Sequence, residues 1–153
     1  MKKFFVMLLI IFSANCSVGS AIGNEKLILG YLSLSSSTKT ILDTYGKPNR
    51  VDNSNGVRWC YGKDFYIQFV GRYAQSVGEI STEGSNGIIT ADGVGVGMNE
   101  EILQEIYGEP TKQEQIDEQT QYWYYGDGKS SRVYLFFGCS EGKIRKISLA
   151  YSK

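Results

Sequence analysis

The 153-residue sequence contains no histidine. That removes the commonest general base, the commonest metal ligand and every histidine-based catalytic triad. Cysteine is scarce, with three in the chain: Cys16, Cys60 and Cys139. So few, so far apart, do not make a disulfide framework. Neither sign of charge predominates, with 16 Lys and Arg against 16 Asp and Glu. A phosphate backbone demands clustered cations, so nucleic acid is not expected as a partner. Long apolar runs are also missing. The longest, 4–12, is too short to span a membrane as a helix.

That run has a different meaning. Lys2 and Lys3 precede it and small residues follow, through "SANCSVGSA". This is the layout of an export signal covering residues 1–21. Two processing routes fit: cleavage after Ala21, or lipidation of Cys16 as the mature N-terminus. Under the second route the chain touches a membrane only through the lipid. Either way the expected location is the periplasm, the cell surface or the medium. Cleavage after Ala21 leaves 132 residues, enough for one real core, with a formal charge of −2. Export and the even cysteine count motivate a Cys60–Cys139 bridge as an expectation.

The informative feature is a phrase written twice: "ILDTYGKP" at 41–48 and "LQEIYGEP" at 103–110. Ile41, Leu42 and Tyr45, like Leu103, Ile106 and Tyr107, make an apolar stripe at helical spacing. Gly46 and Gly108 suit a left-handed cap, and Pro48 and Pro110 forbid continuation. Ser37 and Asn99 are candidate N-caps. The matching continues downstream. "RWCYG" (58–62) aligns with "YWYYG" (122–126), "FYIQFVG" (65–71) with "RVYLFFG" (132–138), and Val77 and Ile80 with Ile144 and Ile147. Order is kept and the offset grows only in loops, which predicts a tandem repeat over 22–84 and 85–153.

Each unit then predicts a short helix followed by three strands. Val57, Trp59 and Tyr61 alternate with their neighbours, as do Phe65, Ile67 and Phe69, with "YGKDF" as a tight hairpin. The three-residue spacing of Val77 and Ile80, and of Ile144 and Ile147, breaks alternation and predicts a bulge or a strong twist. The fold expected is α+β: two helix-plus-three-stranded antiparallel sheets joined into one curved surface. One face packs on the helices and the other stays free. Both faces carry aromatics, so the pattern alone leaves the assignment of faces open.

The second unit reads Gly93, Gly97-Met98, Tyr107-Gly108, Pro110, Trp123, Tyr125, Phe136, Lys143-Ile144, Ile147. The first keeps Tyr45-Gly46, Pro48, Trp59, Tyr61, Phe69, Val77 and Ile80. This pattern resembles the SmpA/OmlA (BamE-like) and β-lactamase inhibitor protein superfamily. The chain departs from it at Ser35-Ser36, which stand where the second unit has Gly97-Met98, and in lacking the inhibitor's disulfides within each unit. The resemblance implies a small exported protein without catalytic residues or cofactors. It implies either a binding module that offers an aromatic sheet face to another protein, or a lipid-anchored accessory of envelope assembly.

Four motifs suggest chemistry and fail on context. "SSTK" lacks the other signatures of penicillin-binding enzymes. "GVGVGM" has its third glycine misplaced for a dinucleotide loop, and "GDGKSS" has Trp123 where a phosphate loop needs glycine. Glu114, Asp117 and Glu118 match no defined calcium loop and suit a solvated one. No catalytic or metal-binding residue is therefore expected. Eleven tyrosines remain as the oddity, and tyrosine favours interfaces. The expected contacts are Arg58, Tyr66, Tyr122 and Tyr124, with Trp59 and Trp123 as packed supports.

Overall fold

The computed structural model describes residues 19–71 and 74–152. Cys16 and most of the expected export signal lie outside them. The elements are α1 (Thr38–Tyr45), β1 (Arg50–Asp52), β2 (Arg58–Tyr61), β3 (Phe65–Val70), β4 (Ser76–Thr82), α2 (Ile102–Tyr107), β5 (Lys112–Ile116), β6 (Gln119–Tyr125), β7 (Val133–Ser140) and β8 (Lys143–Tyr151). All eight strands are antiparallel members of one sheet, in the order β1-β2-β3-β4-β8-β7-β6-β5.

This corrects the expected architecture. The chain is not a repeat of helix plus three-stranded sheet. Four strands follow each helix, and they form a single continuous sheet joined where Glu79–Thr82 pairs with Ile147–Ala150. The additional strands are the two edges, β1 and β5. The expected boundary at 84/85 falls in the connection after β4 and does not separate two sheets.

Local chemistry sets the helix ends. The Ser37 hydroxyl accepts from the Thr40 amide at 3.1 Å and caps α1. Asn99 does not repeat this role. It forms a backbone bridge with Lys143, and its side-chain oxygen takes the Lys143 ammonium at 2.6 Å, so α2 starts later without a side-chain cap. Both helices stop at a glycine with φ of 72°, whose amide reaches back to a helical carbonyl.

The irregular spacing in the last strand of each hairpin set is a bulge, as expected. Gly78 is the extra residue opposite Gln68 and Phe69, and Arg145 the extra residue opposite Gly138 and Cys139. Each bulge lets two residues three apart face the same side. Val77 and Ile80, and Ile144 and Ile147, all reach the core in this way.

The core lies between one sheet face and the helices with their lead-in segments. Phe65, Ile67, Phe69, Ile80, Leu135, Phe137, Ile147 and Leu149 come from the sheet, Ile41, Leu103 and Tyr107 from the helices, and Leu29, Leu32 and Val94 from the lead-ins. The helix-ending tyrosines are anchors. Tyr45 packs on Phe65 at 5.0 Å between ring centres and donates its hydroxyl to the Gly30 carbonyl. Tyr107 packs on Tyr124 at 5.2 Å and bonds Thr90 at 2.8 Å. The repeated Tyr-Gly-x-Pro phrase therefore ends a helix and also clamps it to the sheet.

Candidate functional site

Strand register decides which residues face away from the helices. Trp59 pairs with Ile67, and Tyr61 with Phe65, so both look toward the core. Arg58 pairs with Gln68, and Cys60 with Tyr66, on the opposite, open face. In the other half, Tyr122 pairs with Phe137 and Tyr124 with Leu135, which places them under the helices. Trp123 pairs with Phe136 and Tyr125 with Tyr134, on the open face.

The expected contact set is thus half right in position. Arg58 and Tyr66 lie on the open face and are half-buried. Tyr124 is only 1 % exposed and belongs to the core. Tyr122 is half-buried beside it and reaches Glu100 at 3.4 Å. Trp59 is a packed support, with Phe69 at 4.9 Å. Trp123 is not, since it stands on the open face. The expected cysteine bridge is also corrected. Both thiols are free and buried. They lie on β2 and β7, four inter-strand spacings or about 19 Å apart and on opposite faces, beyond the reach of a disulfide.

The open face has three zones. On β6 and β7, Trp123 tilts against Phe136 at 5.2 Å and Tyr125 against Tyr134 at 5.5 Å. Lys112 from the edge strand sits 4.5 Å above the Trp123 ring and pairs with Glu114 at 2.8 Å. On β2 and β3, the Arg58 guanidinium lies 4.2 Å over the Tyr66 ring, and its Nε donates to Gln68 at 2.9 Å. Tyr66 donates to Glu79 at 3.1 Å. Between these zones the strands carry small residues. Ser81 and Ser148 share a 2.7 Å hydrogen bond across the β4–β8 seam and are buried.

Lys146 rises beside that seam and pairs with Glu83 at 2.8 Å. A hollow of about 390 Å³ opens on its β1–β3 side and one of about 350 Å³ on its β6–β7 side; Lys146 and Glu83 line both. Burial is the largest influence on Lys146 and pulls its pKa down. Glu83, Tyr66 and Glu79 outweigh it, and the net direction is up. Burial pushes the Tyr66 and Tyr134 hydroxyls up, so both rings present neutral phenols. The surface offers aromatic faces, fixed cations and neutral hydroxyls. Among the described residues no group of three or more acidic or cysteine side chains is placed to hold a metal ion.

No protein-family model matches the chain, and no curated protein matches it. Similar solved structures include a DUF4309 family protein, YjgB, from Bacillus subtilis. It has a TM-score of 0.49 and 17 % identity over 76 % of this chain and 79 % of that one. An extracellular protein containing a SCP domain from Bacillus anthracis has a TM-score of 0.48 and 12 % identity over 77 % of this chain and 44 % of that one. A candidate beta-lactamase inhibitor protein from Streptococcus mutans has a TM-score of 0.31 and 18 % identity over 74 % and 82 %. One of the three is thus named for β-lactamase inhibition, and none for SmpA or OmlA. At such scores none of them carries an argument about function.

The helix-side hydroxyls and thiol couple stability to pH. Burial pushes Tyr122 up to about 12, and Glu100 beside it adds to the rise. The same two causes push Cys139 up to about 12. Burial, with Tyr31 and Tyr61 nearby, does so for Tyr45. Each is an acid that the fold holds neutral. The unfolded chain therefore releases the proton first, and stability falls as pH rises. The contribution is complete below the ordinary values of 9.0 for the thiol and 10.0 for the phenols, and is lost by about 12. Melting followed across that window should show a steadily falling Tm. A flat profile would mean these groups are solvated.

Proposed function

We propose that this chain is an exported, non-catalytic protein-binding module that works through the open face of its sheet. One observation carries the reading. Four aromatic rings from β6 and β7, with Arg58 and Tyr66 from β2 and β3, lie half-exposed on one sheet surface whose other side packs on the helices and their lead-ins. Rings held by a sheet lose little entropy on binding, and half-exposed aromatics and arginine are the residue types that dominate interface energetics. The chain's lack of histidine argues against the commonest forms of catalysis.

The test uses the mature protein immobilised and challenged with envelope extract and medium from the source cell. A single stoichiometric partner is expected. Trp123→Ala combined with Tyr125→Ala should weaken its capture by roughly 30-fold or more, the scale of paired aromatic anchors. Melting should change little, because both rings lie outside the core. A partner retained at full strength by that double variant would sink the proposal.

A further inference from the structure

One hollow of the open face is lined mainly by cations. The hollow on the β1–β3 side of Lys146 is lined by Arg50, Arg58, Lys63 and Lys146 against only Asp64 and Glu83. Two of its cations are already matched. Lys146 holds Glu83 at 2.8 Å, and Arg50 lies 3.8 Å from Asp52. Arg58 faces that same Asp52 across the β1–β2 pair without an ion pair of its own, and Lys63 is exposed. Arg58 spends its contacts on the Tyr66 ring and the Gln68 amide, and Lys63 has no carboxylate within ion-pair distance among the described residues. Tyr66 and the buried Cys60 also line the hollow, so a charge seated there is partly shielded from water.

The geometry points to a partner that inserts an acidic side chain into this hollow and rests an apolar one on Phe136. This deepens the open-face reading and rests on it. An excess of cations over carboxylates lining a concavity favours an incoming carboxylate, because the same charges in flat positions are screened. Phe136 lines the neighbouring hollow, on the far side of the shared Lys146–Glu83 pair. From β3 to β7 there are three inter-strand spacings, about 14 Å. Extended chain covers that in roughly four residues. The occupant is thus an extended protein segment crossing the strands, with Asp or Glu about four positions from a large apolar residue.

The experiment selects a random peptide library displayed on phage against the whole protein. Selected peptides should be enriched in Asp or Glu paired at about that spacing with an apolar residue. A synthetic copy of the best binder should lose at least about tenfold in affinity to the Arg58→Gln, Lys63→Gln double variant. It should also weaken as salt is raised. The variant's unchanged melting would show that the loss is not unfolding. Peptides without acidic enrichment, binding indifferent to the neutralised pair, or no selected binder at all would each overturn the inference. If binders survive neutralisation but are lost with Trp123→Ala and Tyr125→Ala, the open-face reading stands alone. If they survive both, it falls too.

Discussion

Replacing Tyr124 by alanine is expected to cost about 3–5 kcal/mol of stability, the range for truncating a large buried aromatic. The ring is 1 % exposed and sits among Tyr107 at 5.2 Å, Phe137 at 5.9 Å and Leu135, its cross-strand partner. Its loss leaves a cavity beneath the last turn of α2 and removes the surface that Tyr107 clamps. A small domain has only about 5–15 kcal/mol in total, so the variant should be conspicuously fragile in urea. Trp123, its immediate neighbour, should behave in the opposite way, since it packs on the open face. Equal destabilisation by the two substitutions would mean that the register of β6 is wrong.

Leu149→Ala should cost about 2–5 kcal/mol, and the shape of the unfolding curve matters as much as its midpoint. Leu149 is fully buried between Leu135 on β7 and Ile80 on β4. It therefore touches both halves of the sheet at their one strand seam. In a single sheet over a single core, the whole chain should still unfold in one transition, shifted to lower denaturant. Two transitions, with only one of them moved, would indicate two halves that stand independently.

Sequence reasoning reached the helix ends, the Ser37 cap, the hairpin at Gly62 and both bulges, because each is set by residues a few positions apart. It missed the edge strands. β1 has only three residues, and the sequence "KQEQI" of β5 shows no apolar alternation, so nothing local separates it from a solvated loop. The open face of the second half is also the reverse of the expected one. Matching "RWCYG" to "YWYYG" put both tryptophans on one side, yet Trp59 faces Ile67 and Trp123 faces Phe136. Strand periodicity is two, so a slip of one residue turns every side chain over. The run Tyr122 to Tyr125 is aromatic on both sides, which hides the slip. Arg58 and Tyr66 were legible because their strands have a strictly apolar opposite face. Trp123, Tyr125, Tyr134 and Phe136 needed the register across β6 and β7, which is a long-range fact.

The two outermost strands bear on how the protein behaves when crowded. A sheet of eight strands ends in two rows of unsatisfied amides and carbonyls, an open template for another chain. Here one row is only three residues long and carries Arg50 and Asp52, and the other carries Lys112 and Glu114 on fully solvated backbone. If two copies met antiparallel along the longer row, centred on Glu114, its carboxylate would stand opposite its own twin, a like-charge pair that disfavours zipping. The composition that made β5 unreadable as a strand thus also weighs against self-addition in that register.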